Sequence, residues 1–235
     1  MVQTGPVVGV LGLFGLLTEL TVDGRLSPVG WLVGLGCAAL GYLSLTGALA
    51  RRAAVQLGPA DRVTLLRAVL VGGVAALAAG GDSRATLVSL AVLALILDAV
   101  DGQVARRTRT VSALGARFDL EVDAFLILVL SCYLVGPVGG WVLAIGFARY
   151  AFVAAGWLVP ALRAPSPPRY WCKVVAAIQG IVLTMAVLLP VRLAELALAG
   201  ALLLLAESFG RQTWWLLRPT FVDSVPSLAR SGSRS

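Results

Sequence analysis

The stretch LDAVDGQVARRTRTVSALGARFDLEVDAF, residues 97–125, sets four aspartates, Asp98, Asp101, Asp119 and Asp123, between two strongly apolar segments. Residues three or four apart on a helix share a face. Asp98 and Asp101 therefore point together, with Gly102 and Ala105 beside them, and Asp119 and Asp123 point together on the next helix. Glu121, two residues after Asp119, faces elsewhere. The link RTRTVSAL is short, which predicts antiparallel neighbours whose aspartate pairs face each other at one end of a bundle.

The rest of the chain sets the medium. Of 235 residues, 59% are hydrophobic and 13% charged, and the mean hydropathy is +0.91, far from the roughly 25% charge of a soluble domain. Apolar runs of about 18 or more residues recur, each long enough to cross a hydrocarbon core of about 30 Å as a helix. The expectation is an all-α, polytopic membrane helix bundle with spans near 5–21, 28–50, 62–80, 84–105, 115–136, 138–160, 172–190 and 192–209. The first segment has no basic region before it, and Thr18 and Glu19 stand where a small-residue cleavage site would be expected, so it reads as a retained span and not a signal peptide.

The connections alternate between basic and nearly neutral. Arg51, Arg52 and Arg62 lie on one side, as do Arg106, Arg107, Arg109 and Arg117, then Arg163, Arg169 and Lys173, and finally Arg211, Arg218, Arg230 and Arg234. Arg84, the uncharged VGPVGG link and Arg192 lie opposite. This asymmetry puts both termini and the aspartate-bearing loop in the cytoplasm. It also accounts for the net charge of +7 without a nucleic acid partner. Lys173 is the single lysine, a bias expected of a GC-rich bacterial genome, so the expected location is a bacterial cytoplasmic membrane. Three parts follow: an N-terminal two-helix hairpin and linker (1–55), a six-helix body (56–210), and an interfacial segment carrying Trp214 and Trp215 with a disordered tail (211–235).

Histidine is absent, which excludes histidine-based nucleophile pairs and histidine metal ligands. Cys37, Cys132 and Cys172 show no metal or redox spacing and read as small core residues. One carboxylate in a span costs about 2.5–3.5 kcal/mol on insertion scales, and four together add mutual repulsion. Divalent ions would compensate, and an all-oxygen ligand set favours Mg²⁺ or Mn²⁺. Two ions would match four negative charges, an arrangement used in phosphoryl chemistry. The competing reading is that the aspartates sit in solvated helix ends and pair with Arg106, Arg107 and Arg117.

The pattern D-x-x-D-G-x-x-A-R-x(8)-G-x-x-x-D-x-x-x-D is filled by Asp98, Asp101, Gly102, Ala105, Arg106, Gly115, Asp119 and Asp123. It resembles the motif of the CDP-alcohol phosphatidyltransferases, over about residues 58–209. The resemblance implies that Asp98, Asp101 and Asp119 bind two divalent ions holding the diphosphate of a CDP-linked lipid such as CDP-diacylglycerol, with Asp123 completing the site and acting as general base. It further implies that Gly102 and Ala105 let the nucleotide approach, that Arg106 and Gly115 belong to the donor site, that a small alcohol or alcohol phosphate is the acceptor, and that the protein is a homodimer. Upstream, PADRVTLLR (59–67) resembles the family's P-N-x-x-T-x-x-R, with Thr64 and Arg67 in place and Asp61 at the asparagine position. Arg67 then binds the donor or neutralises the aspartates.

Lys173 and Gln179 resemble part of the G-K-x-K-T-x-x-Q pattern of phosphatidylglycerophosphate synthases, but Val175 and Ala176 replace its second lysine and threonine. That weakens glycerol 3-phosphate as acceptor. Arg149, midway along its span, is the other acceptor-binding candidate, since an intramembrane arginine faces a partner or a polar cavity. Against the transferase stand two readings: a cation transporter or channel, which expects acids near the bilayer midplane, and a catalytically inactive scaffold of the same fold.

Overall fold

The computed structural model describes residues 4–52, 59–108, 113–159 and 170–217, excepting the side chains of 4, 48–52, 59–60, 101–108, 113–114, 170, 173 and 215–217. Eight α-helices follow one another: α1 (Thr4–Val22), α2 (Pro28–Arg52), α3 (Pro59–Gly80), α4 (Arg84–Thr108), α5 (Ala113–Val138), α6 (Leu143–Leu158), α7 (Tyr170–Ala186) and α8 (Val191–Leu217). There is no strand among the described residues, and the all-α polytopic bundle is as expected. Five segments among the described residues, in α1, α2, α3 and α8 and over Gly140–Leu158, which is α6 with the turn before it, are long and apolar enough to cross a membrane. α4 and α5 carry the aspartates, and α7 holds a shorter apolar stretch, Val174–Ala186. The chain is an integral membrane protein.

The helix ends follow local chemistry. Pro28 and Pro59 open α2 and α3, where a missing N–H is harmless. Ser83 caps α4, its Oγ accepting from Thr86 N at 3.2 Å, which satisfies one of the first-turn donors. Pro137 falls in the last turn of α5, and Gly139, at φ +107°, takes a conformation that a side chain would resist. One 3₁₀ turn, Gly140–Val142, then leads into α6. α8 runs on past the predicted end at 209 to Leu217, because Gly210 weakens a helix without stopping it. The linker residues 53–58, the 160–169 connection and the 218–235 tail lie outside the described residues.

α3 is the central helix: 61% of its Asp61–Gly80 span is buried, against 17% of Pro28–Gly47 in α2. It touches α1, α2, α4 and α5, while α5 reaches on to α6, α7 and α8. Lipid tails are as apolar as leucine, so helices associate there through close packing more than through the hydrophobic effect. Small residues supply that closeness. A Cβ on Gly80 would come within 2.8 Å of Gly30 N, and one on Gly72 within 2.8 Å of Leu13 Cδ2.

The N-terminal hairpin is joined to this body at its turn. Ser27 N donates to Gly80 O at 2.8 Å, Leu26 and Gly81 form an isolated antiparallel bridge, and Arg25 Nη1 donates to Thr86 Oγ1 at 2.6 Å. Leu13 and Leu17 of α1 bury themselves with Ala76 of α3. Gly30 and Gly80 let α2 and α3 approach closely, and on the same α3 the Arg67 side chain is turned inward.

Candidate active site

Asp119 and Asp123 are four residues apart on α5, and the side of α5 that carries them faces α3; α4 and α5, expected to be neighbours, instead each pack on α3. Asp98 comes from α4. One carboxylate oxygen from each of the three lies within 4.8 Å of the others. Between them sits Arg67 of α3, only 2% exposed. Its Nη1 is 3.0 Å from Asp98 Oδ1 and also donates to Asp119 Oδ1, while Nη2 donates to Asp123 Oδ1. The planar guanidinium suits this role because its nitrogens present donors in a fixed fork.

The electrostatics are lopsided. One guanidinium against three carboxylates leaves a formal charge of −2. The aspartate side chains keep 38%, 33% and 34% of their surface exposed while Arg67 is sealed in, so the cluster is closed from the bundle side and open on the other. An oxygen-only donor set with residual negative charge fits a hard divalent cation such as Mg²⁺ or Mn²⁺.

The remaining predicted residues divide into three groups. Asp61 and Thr64, at three-residue intervals before Arg67, are both buried, so this face of α3 turns inward. Gly115 lies one turn ahead of Asp119 on α5. Asp101, Gly102, Ala105 and Arg106 fall on the last turns of α4 and Lys173 on the first turn of α7, but their side chains lie outside the described residues. α7 packs against both α4 and α5.

Arg149 is placed differently from the aspartates' cation. Its Nη2 donates to Glu121 Oε1, on the side of α5 turned away from Asp119 and Asp123. Arg117, a partner in the solvated-helix reading, makes no ion pair among the described residues. Arg67, from another helix, holds Asp98, Asp119 and Asp123, and the side chains of Arg106 and Arg107 lie outside the described residues. Gln179 is 1% exposed and donates from Nε2 to Ala201 O of α8 at 2.8 Å, joining two helices. Sequence reasoning left Arg67's partner open and did not pair Glu121 with Arg149. The available signal was that both arginines lie inside spans, where a partner is obligatory.

No curated protein and no solved structure matches the chain. The model of the family described as CDP-alcohol phosphatidyltransferase matches residues 58–209, a range that begins before α3 and contains every residue of the Arg67 cluster. Its members move a phosphate-containing group from a CDP-alcohol and use divalent metal. By that match and this cluster, the chain belongs to the CDP-alcohol phosphatidyltransferase family.

Proposed function

We propose that the protein transfers a phosphatidyl group from a CDP-linked lipid, CDP-diacylglycerol, to a small alcohol or alcohol phosphate, releasing CMP in phospholipid synthesis. The observation that carries this reading is the set of three carboxylates within 4.8 Å of one another, fastened by a buried arginine and open on one side. Asp98, Asp101, Asp119 and Asp123 would hold the divalent ions, Mg²⁺ or Mn²⁺ and two in number. When bound, such ions supply positive charge to the diphosphate and so favour its cleavage.

The chain's own residues then do the following. Asp123 takes the proton from the acceptor hydroxyl, whose oxygen forms a bond to the phosphorus on the lipid side of the diphosphate. The phosphorus–oxygen bond to CMP breaks, and CMP leaves with the electron pair. Arg67 keeps the Asp123 carboxylate aimed, so little reorganisation is needed at the moment of reaction. Arg106 contacts phosphate, Gly102 and Ala105 leave room for the nucleotide, and Thr64 and Gly115 border the donor. Lys173 is our acceptor cation, since Arg149 is held by Glu121. In this reading the 56–210 body carries the reaction at the cytoplasmic face of a bacterial membrane with both termini cytoplasmic, and 1–55 and 211–235 are additions to it.

The test is CMP release by detergent-purified protein given CDP-diacylglycerol, Mg²⁺ or Mn²⁺ and a panel of polyols, polyol phosphates and amino alcohols. We expect acceptor-dependent CMP, lowered about 10²- to 10⁴-fold by Asp123→Asn, the range of a lost general base. Folded wild-type protein that releases no CMP with a broadened donor and acceptor panel would turn the reading towards the inactive scaffold.

A further inference from the structure

We infer that the protein binds a second, non-reacting lipid with an anionic headgroup in a cavity between the N-terminal hairpin and the family body. The cavity, of about 470 Å³, is lined by α1, α2, α3, α5 and α6. That volume lies within the range of small-molecule sites. Its walls are apolar for most of their extent, with Leu40, Ala68 and Val71 among them, and one end carries Arg117, Glu121 and Tyr150.

This cavity is separate from the aspartate cluster. On α3 it is bordered by Ala68 and Val71, whereas Arg67 turns to the aspartates. On α5 it is bordered by Glu121 and Val122, whereas Asp119 and Asp123 turn to Arg67. The packed α3–α5 pair forms the wall between the two.

Shape and charge choose the occupant. From Arg117 to Phe125, both on the cavity wall, α5 advances about 12 Å. One leaflet of a ~30 Å hydrocarbon core is ~15 Å deep, so the cavity has the length of an acyl chain entering from the side where α5 begins. Leu40 lines it and is 66% exposed, which leaves a lateral opening towards lipid. At the polar end Glu121 is already engaged by Arg149, and Arg149 Nε is buried without a hydrogen-bond partner among the described residues. Arg117 is exposed and has no ion pair there. With Glu121 paired to Arg149, Arg117 leaves this end with an excess positive charge, which favours a net-anionic headgroup over a zwitterionic one. A free phosphate would leave the apolar length unfilled.

Gly41 gives a way to close the cavity. It lines the wall, and a Cβ there would meet nothing within 4 Å. The full chain, in nanodiscs of phosphatidylcholine, would be irradiated with a trace of phosphatidylglycerol or phosphatidylcholine carrying a diazirine at the end of one acyl chain. Labelled peptides would be mapped by mass spectrometry. We expect phosphatidylglycerol labelling concentrated on residues 37–45 and 118–125. Arg117→Gln should lower it about fivefold, the worth of one arginine near an anionic surface, and leave the phosphatidylcholine signal unchanged. Gly41→Phe should remove the concentrated labelling, and Gly41→Ala should keep it. Even labelling of all lipid-facing helices, insensitive to Arg117→Gln, would overturn the inference in favour of annular lipid. Efficient disulfide dimerisation of Gly41→Cys with loss of labelling in the wild-type dimer would overturn it in favour of an interface between copies. CMP release does not enter these readouts, so failure here is distinct from failure of the transferase reading.

Discussion

Arg67 and Asp123 stand 56 residues apart in sequence, and the guanidinium of the first donates to the carboxylate of the second inside the bundle. The same side chain holds Asp98 and Asp119. An arginine in a span costs about 2.5–3.5 kcal/mol on insertion scales, and three clustered carboxylates repel one another. Each side of this arrangement makes the other tolerable.

Removing the arginine should therefore expose the repulsion. Arg67→Gln is expected to destabilise the metal-free protein by about 3–5 kcal/mol, the usual cost of breaking a buried ion pair from one side. Because a divalent ion supplies the same sign of charge, Mn²⁺ should recover more stability in the variant than in the wild type. Thermal unfolding in detergent, with chelator and with Mn²⁺, reads both. Equal midpoints for variant and wild type in chelator would show that Arg67 is not the cluster's counter-charge.

Loss of one ligand should weaken metal dependence before it destroys the fold. Chelator is expected to abolish CMP release, and Mg²⁺ or Mn²⁺ to restore it. In Asp98→Asn the Mg²⁺ concentration for half-maximal activity should rise about tenfold, the ratio given by about 1.4 kcal/mol of lost binding. A Mg²⁺ titration of CMP release measures it. An unchanged midpoint would remove Asp98 from the ligand set.

That Asp119 and Asp123 share a face was legible from the helix period, but α4 and α5, expected as neighbours across their short link, do not pack closely on each other among the described residues: both pack on α3, whose Arg67 bridges their aspartates. Of the span boundaries, Pro28 opens α2 where expected, whereas α3 begins at Pro59, ahead of the expected 62, and α6 at Leu143, after the expected 138. For Arg67 the sequence left two roles open, donor binding or neutralising the aspartates, and the structure shows the second. Arg106, Arg107 and Arg117 are nearer in sequence, and which face of the central helix α3 turns inward is a matter of packing that the sequence does not give. Glu121 was expected to face away from the cluster, yet its meeting with Arg149 depends on how α6 returns along α5 after the Gly139 turn. Such contacts rest on helix packing, which periodicity does not encode.

The α2–α3 contact gives a prediction independent of chemistry. A Cβ on Gly80 would sit 2.1 Å from Ser27 Oγ and 2.8 Å from Gly30 N, and the second atom belongs to backbone that cannot swing aside. Gly80→Ala should lower stability by about 1–3 kcal/mol, the range for overpacking. Gly36, where a Cβ would meet nothing within 4 Å, is the control, and Gly36→Ala should match or slightly exceed the wild type because alanine favours helix. Equal unfolding midpoints for Gly80→Ala and Gly36→Ala would mean that the hairpin is not seated this closely.

The two acceptor cations can be separated by kinetics. Arg149 is tied to Glu121 in a pair whose side chains are 32% and 56% exposed, and pairs of that kind contribute about 0–1 kcal/mol. Lys173 lies on α7, which packs against the two aspartate-bearing helices. A cation that binds acceptor equally in ground and transition states raises KM when lost and leaves kcat alone. Lys173→Gln should therefore raise the acceptor KM about tenfold, whereas Arg149→Gln should change it by less than about twofold, each tenfold step being about 1.4 kcal/mol. CMP release measured over a range of acceptor concentrations, with the CDP-linked donor saturating, distinguishes the two. A large KM increase in Arg149→Gln with none in Lys173→Gln would require Arg149 to leave Glu121 and turn to the acceptor during turnover, and would move the acceptor pocket to the α5–α6 side.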